Sequence, residues 1–318
     1  GRQGAGAAPL RRASRLVNDS SVAWPWYTLN DGHRIPAIGL GVYRVPPGKV
    51  AYETVRSALE LGYRMIDTAA MYGNEADVGR AVRDSGIPRS QVFVTSKLWD
   101  SEHGYQKALS AGRRSVKNLG LDYMDLYLIH SPGAMSFGGG KIVETYDALL
   151  QLQRENLTRS VGVSNFGVKH LEALEQYGRP IPTVNQFEIH PLVFKDRESL
   201  VDYCRKKGIL VQAYGSVLSG HGDLINRTAA AAAGHGKTSA QVLLRWALDQ
   251  GFQVIPKSVH QERQAENLQL FDFNLSAAEV ESLSSAHPTG RLSWDYWDPL
   301  NVKVDVGHVD PPGAGQAR

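Results

Sequence analysis

The 318-residue sequence is 42% hydrophobic and 21% charged, and its 35 basic and 32 acidic side chains leave a formal charge of +3. That balance supports a sizeable core under a solvated surface and offers no electrostatic footprint for nucleic acid or an anionic membrane. No apolar run reaches the roughly 18–20 residues of a membrane span, and Cys204, the single cysteine, excludes an intrachain disulfide, which fits a reducing compartment such as the cytoplasm.

Residues 1–22 stand apart. Arg2, Arg11, Arg12 and Arg15 all precede the first acid, Asp19, and residues 4–8 are only Gly and Ala. The segment reads as a disordered or processed extension, an organelle transit segment being the other reading of the same composition, with one domain spanning 23–318.

Trp26–Leu29 and Arg34–Ile38 flank Asn30-Asp31-Gly32, whose Asp-Gly pair predicts a β-hairpin closing one end of a larger body. Short β-rich runs then alternate with amphipathic stretches. A first strand is expected near Ile38–Leu40, a helix over 50–61 stopped by Gly62, a strand at Arg64–Ile66 and a helix near Glu75–Asp84. The strand Val92–Val94, the helix Tyr105–Leu119 ended by Gly120, and the strand Leu126–Ile129 follow. The second half repeats the beat: helix 142–155, strand 160–163, helix 168–176, strand 183–187, helix 197–207, strand 209–213, helix 239–250 and strand 252–255. Eight strands alternating with helices in this length predict an α/β fold, a single (β/α)8 TIM barrel with the hairpin as a plug. Beyond about Pro288 the pattern dissolves into an irregular C-terminal tail, and Cys204, within an amphipathic stretch, reads as a packing residue. No Gly-x-Gly-x-x-Gly stands at a strand-to-helix turn, which argues against a Rossmann sheet.

Barrels of this kind place their chemistry at the C-terminal ends of the strands. The apolar runs here end repeatedly in polar residues: Asp67, Lys97, His130, Ser164-Asn165, Asn185-Gln186, Tyr214 and Lys257-Ser258. Singly these read as a helix cap, a solvated cation or a structural imidazole; together they converge on one rim. No metal-ligand cluster and no Gly-x-Ser-x-Gly elbow accompanies them, so no metal is expected and acid–base chemistry remains. A phenol such as Tyr72 titrates near 10; a cation beside it lowers that by roughly 1–3 units. Lys97 is expected to supply the cation, Asp67 to hold it, and His130, as a neutral imidazole, to hydrogen-bond a substrate oxygen. The set contains no hydride source, so a reduction requires a cofactor.

At these residues the sequence resembles the aldo-keto reductase family. Gly62 through Ala69 with Tyr72-Gly73-Asn74-Glu75 resembles one signature of the family, Leu119 through His130 a second, and Ile255-Pro256-Lys257-Ser258 with Arg263, Glu266 and Asn267 a third; the likeness runs from about Tyr27 to Ser285. The resemblance implies an NADPH-dependent oxidoreductase that reduces aldehydes or ketones to alcohols, with Tyr72 as general acid and Asp67, Lys97 and His130 as its partners. It implies that Ser164, Asn165 and Gln186 hold the nicotinamide carboxamide and that Tyr214 stacks on the ring. By the same resemblance Lys257, Ser258 and Arg263 are expected to take the 2′-phosphate, Glu266 and Asn267 the adenine, and Gly41, Tyr43, Asp67 and Leu218 to complete the NADP cradle. Tyr43, Trp99, His130 and Trp294, with Tyr296 and Trp297 beside the last, are expected to line the substrate side. The partner implied is a small carbonyl compound, and the family is often monomeric.

Two departures bear on the pocket. Ser131 stands where the family often has Trp, which is expected to widen or polarise the pocket, and Gly215–Gly220 replaces the frequent Ser-Pro-Leu-Gly. The loop Pro132–Gly140 is short. The competing reading is an NADP(H)-binding regulatory or structural module with little turnover; a phosphate-handling barrel of another reaction class is a third.

Overall fold

The Asp31-Gly32 turn forms, with Gly32 at φ 90°, and joins antiparallel strands β1 (Trp26–Thr28) and β2 (Arg34–Pro36). A computed structural model of the chain describes residues 25–133, 141–218, 222–286 and 303–309; the 1–22 extension, most of the 132–140 loop and the tail aromatics Trp294, Tyr296 and Trp297 lie outside them. The hairpin covers the N-terminal end of the barrel. Tyr27, fully buried, donates to the Phe252 carbonyl (3.2 Å), Asn30 Nδ2 to the Pro182 carbonyl (3.0 Å), and Ser160 Oγ to Asp31 Oδ2 (2.7 Å).

Eight parallel strands follow in sequential order: β3 (Leu40–Gly41), β4 (Met65–Asp67), β5 (Phe93–Leu98), β6 (Met124–Ile129), β7 (Thr158–Ser164), β8 (Val184–Glu188), β9 (Leu210–Tyr214) and β10 (Gln253–Val254). The last meets the first through a parallel bridge between Ile38 and Val254, with Gly39 N–H to the Val254 carbonyl at 2.9 Å and Gly41 N–H to the Pro256 carbonyl at 3.1 Å. Closure is tight enough that a Cβ on Gly41 would lie 2.8 Å from the Ile255 carbonyl oxygen. The sheet is therefore the expected closed barrel. Its first strand sits two residues later than the apolar run suggested, because Ile38 is taken up by the closing bridge.

The helices are α1 (Lys49–Glu60), α2 (Glu75–Asp84), α3 (Tyr105–Leu119), α4 (Ile142–Arg154), α5 (Val168–Gln176), α6 (Pro191–Lys207), α7 (Gly222–His235), α8 (Ser239–Asp249), α9 (Gln261–Leu268) and α10 (Ala277–Ser284). α1 buries Ala51, Thr54, Val55, Ala58 and Leu59 on one face, the amphipathic stripe that specified it. α6 starts at Pro191, not near Arg197: proline suits the first helical turn, and Pro191 through Phe194 are all buried, so no period betrays the helix there. α7, α9 and α10 were not expected. α7 runs through the alanines 229–233, strong helix formers without an apolar stripe, and α10 starts with a Ser276–Glu279 capping box. Cys204 is buried in α6, where its Sγ accepts from Asn185 Nδ2 at 3.9 Å, a packing role. Residues 303–309 return to the barrel, where Asp305 accepts from Lys141 N–H (3.0 Å) through its carboxylate and from Ile142 N–H (2.8 Å) through its carbonyl at the start of α4. Among the described residues no helix is long and apolar enough to cross a membrane.

Candidate active site

The strand ends meet at one rim. Asp67 closes β4, Lys97 lies in β5, and His130 follows β6. Tyr72 ends a 3-10 turn (Ala70–Tyr72) that Gly73, at φ 69°, stops. The buried Asn74 ties this turn down: its Oδ1 accepts from Thr68 Oγ1 (2.6 Å), and its Nδ2 donates to the carbonyls of Val42 (3.1 Å) and Val45 (3.2 Å). In the sequence Asn74 stands out only as a member of Tyr72-Gly73-Asn74-Glu75; its bonding role belongs to the folded turn.

The Lys97 ammonium is fully buried and donates to three oxygens: Asp67 Oδ1 at 2.6 Å, the Thr68 carbonyl at 2.9 Å and Tyr72 Oη at 3.3 Å. An ammonium has three protons and no acceptor. Tyr72 Oη must therefore accept, and its own proton is directed away from Lys97. Around the phenol stand three rings. Tyr43 lies 5.1 Å from the Tyr72 centroid, His130 lies 5.7 Å from it edge-on, and Trp99 lies 5.3 Å from His130. Tyr43, Tyr72, Trp99 and Tyr214 are part-exposed while Asp67, Lys97 and His130 are buried, so the part-exposed rings form the wall and the Asp67–Lys97 pair and His130 lie beneath it.

Burial dominates the titration of this cluster. It pushes the Asp67 carboxyl up, against Lys97 and the Gln186 hydrogen bond, and pulls the Lys97 ammonium down, against Asp67. His130 is pulled well below the usual imidazole value by burial and then by Lys97, with Asp100 opposing, which keeps the ring neutral as expected. Tyr72 departs from expectation. Its phenol is held well above its ordinary value, first by burial, then by the charge of Asp67 and by the phenols of Tyr214 and Tyr43. Lys97 does not acidify it, because the ammonium's field is largely spent on the carboxylate 2.6 Å away. At neutral pH the phenol carries its proton.

Beside Asp67 a second hydrogen-bonded layer forms. Ser164 Oγ donates to the Gln186 carbonyl (2.8 Å). Asn165, at φ 59°, a region asparagine tolerates, donates through Nδ2 to the His130 carbonyl (2.9 Å) and Ser164 Oγ (3.1 Å), and its Oδ1 accepts from Tyr214 Oη (2.8 Å). Gln186 Nε2 donates to Asp67 Oδ2 (2.8 Å) and to Gln212 Oε1. Gln212 was not among the expected residues; a polar side chain inside the run Leu210–Tyr214 was the available signal.

Farther round the rim, Lys257 and Arg263 are exposed, and among the described residues neither is paired with a carboxylate. Ser258 is buried, its Oγ accepting from His260 N–H (3.1 Å) at the start of α9. Exposed cations and a fixed hydroxyl within one short segment are the chemistry a phosphate dianion calls for. Glu266 Oε1 accepts from Thr238 Oγ1 (2.5 Å), which ties it to the start of α8, and Asn267 is buried one residue on.

Two expected contacts are redirected. Ser131 is buried and donates to Asp100 Oδ1 at 2.6 Å, which commits its hydroxyl proton to that carboxylate. Leu218, at φ 57°, packs its side chain with Leu192 and Leu243 in a satellite cluster, leaving its backbone as the part a cofactor can meet. Trp294 lies outside the described residues.

The model of the Aldo/keto reductase family matches residues 37–287. The chain is 44% identical over 273 residues to an aldo-keto reductase of Mycolicibacterium smegmatis, covering 85% of this chain and 96% of that protein. It is 40% identical over 267 residues to the glyoxal reductase of Bacillus subtilis, covering 83% and 93%. The crystal structure of a Bombyx mori aldo-keto reductase in complex with NADP superposes with a TM-score of 0.79 at 33% identity, over 90% of this chain and 99% of that one.

The ion pair can be tested without turnover. In Lys97→Met the Asp67 carboxyl, already pushed up by burial, loses its main counterweight and rises further. A carboxyl whose folded-state pKa is raised binds its proton more tightly when folded, so stability is present at low pH and lost as pH rises. Lys97→Met is expected to cost about 3–5 kcal/mol at pH 8 and clearly less at pH 5, measured by urea unfolding at both; a pH-independent loss contradicts the pairing.

Proposed function

The chain belongs to the aldo/keto reductase family, and from that premise we propose that it is an NADPH-dependent reductase of small aldehydes and ketones in which Tyr72 delivers the proton. The observation that carries this reading is the Lys97 ammonium, which spends one proton on Tyr72 Oη and so leaves the phenolic proton free to face the rim.

A reduced nicotinamide, when bound, supplies a hydride to the carbonyl carbon. The chain's own residues do the rest. Ser164, Asn165 and Gln186 take the carboxamide; with both Nε2 protons of Gln186 donated inside the protein, its Oε1 is the atom that meets an amide N–H. Tyr214, fixed through Asn165, presents its ring to the nicotinamide. Lys257, Ser258 and Arg263 take the 2′-phosphate that separates NADPH from NADH, and Glu266 and Asn267 the adenine. The neutral His130 donates a hydrogen bond to the carbonyl oxygen and polarises it.

As the oxygen becomes an alkoxide, Tyr72 Oη gives up its proton to it. A raised phenolic pKa suits this step: the acid stays loaded at neutral pH, and an alkoxide is more basic still. The phenolate then accepts the Lys97 hydrogen bond more strongly, and Asp67 keeps that ammonium in place and charged. Water returns the proton. A buried position strengthens each of these interactions. The glyoxal reductase relative and the ring wall of Tyr43 and Trp99, with His130 beneath it, support a small, reactive carbonyl as substrate.

Tyr72→Phe is expected to lower kcat for aldehyde reduction by about 10²–10⁴-fold while NADPH binding, followed by fluorescence, is unchanged; normal turnover removes Tyr72 as the acid. Arg263→Ala is expected to weaken NADPH binding about tenfold and to leave NADH binding alone. Equal effects on the two cofactors would place the 2′-phosphate elsewhere.

A further inference from the structure

Beneath the candidate site lies a row of amides for which the mechanism above has no use beyond its first member. In the parallel register Gln186 of β8 faces Gln212 of β9, and Gln212 faces Gln253 of β10. All three are buried. Register partners on adjacent strands project from the same face of a sheet, and Gln253 reaches from that face to Met65 of β4, its Nε2 lying 3.1 Å from Sδ. Buried amides are costly where hydrocarbon would serve, unless their hydrogen bonds are used.

The row has a direction, and Asp67 sets it. A carboxylate only accepts, so Gln186 must turn its NH2 to Asp67 Oδ2, 2.8 Å away. The second proton of the same nitrogen goes to Gln212 Oε1, which fixes the Gln212 amide in turn and leaves its NH2 as the outer end. Gln253 has its own NH2 committed to Met65 and to the Val254 carbonyl. Within the row, Gln212 Nε2 and Gln253 Oε1 are left over on register-paired residues, one a donor and the other an acceptor, so the sense of the amides is consistent from Asp67 to β10.

We infer that Gln212 is a positioning residue for the carbonyl reduction: it locks the amide of Gln186, which holds Asp67, which holds Lys97 against Tyr72. The inference rests on the function proposed above. Asp67 is gripped from two sides, Lys97 on Oδ1 and Gln186 on Oδ2. Replacing Gln212 by an apolar side chain strands one buried Gln186 N–H. Gln186 then turns to satisfy it, frees Oδ2, and lets the carboxylate and its ammonium drift from the 3.3 Å contact with Tyr72 Oη. Gln212 touches neither substrate nor cofactor in this scheme, so the cost falls on turnover and not on substrate binding.

The test compares wild type with Gln212→Leu, Gln212→Met and Gln212→Glu for NADPH-dependent reduction of methylglyoxal, with melting temperatures to verify folding. Gln212→Met, unbranched and more adaptable, carries the test should the leucine variant not fold. The two apolar variants are expected to lose about 10–100-fold in kcat with the aldehyde KM within about twofold of wild type. The glutamate, fully buried and so held neutral, keeps an acceptor for the Gln186 N–H and is expected to recover most of the rate. Wild-type kcat in both apolar variants overturns the inference, as does a loss that the glutamate shares in full. Absence of turnover in every protein, wild type included, removes the proposed function instead. The crystal structure of Gln212→Leu, or of Gln212→Met in its place, then decides the positioning: Gln186 Nε2 beyond hydrogen-bond reach of Asp67 supports it, and an unchanged contact overturns it.

Discussion

A charged ammonium with no exposed surface sits under the barrel rim, and the rest of the site is arranged to keep it there. Removing Lys97 from water is costly, and the bond to Asp67 at 2.6 Å offsets that cost only because the remaining protons also find oxygens, on Thr68 and Tyr72. The barrel supplies the geometry. Asp67 is the register partner of Thr95, and Lys97, two residues farther along β5, projects from the same face one step nearer the rim. The Tyr72 turn is then brought over the pair by Gly73 and pinned by Asn74. Strand register, turn geometry and one buried charge together fix where a phenolic proton can go.

The electrostatics follow from depth. Burial favours the neutral form of every titratable group here, so His130 loses its proton and Tyr72 keeps its own. A neutral imidazole beside a loaded phenol gives two hydrogen-bond donors on one side of the pocket, which is what a carbonyl oxygen gaining charge requires. The residues proposed to hold the cofactor are not independent of this centre. Gln186 bonds Asp67, Asn165 bonds the His130 carbonyl, and Tyr214 bonds Asn165, so the groups proposed to hold a nicotinamide share one network with the Asp67–Lys97–Tyr72 centre.

Much of this was legible in the sequence. Parallel strands flanked by helices leave a strong alternating pattern, and polar residues at the ends of apolar runs marked the rim at Asp67, Lys97, His130, Ser164 and Gln186. What escaped had physical causes. Helices α7, α9 and α10 lack a clean apolar stripe, and the first turn of α6 is buried on all sides, so periodicity had nothing to register. The direction of the Tyr72 shift was misjudged because chain order shows that a lysine is near but not that its charge is already taken. Position along the chain does not show a side chain's neighbours: Ser131 donates to Asp100, and the Leu218 side chain packs with Leu192 and Leu243. Gln212 stood as one polar residue in an apolar strand, a signal that acquires meaning only when its partners are placed across the sheet.

The whole reading depends on a phenol that stays protonated over a paired ammonium. Carbon-13 labelling of tyrosine Cζ, with Tyr72 assigned through its phenylalanine variant, reads that state directly by nuclear magnetic resonance. The resonance is expected to remain at its phenol position from pH 6 to beyond about 10, the ordinary tyrosine value. A tyrosinate signal at pH 7 would contradict it, since the residue could then not serve as the proton donor in a reduction.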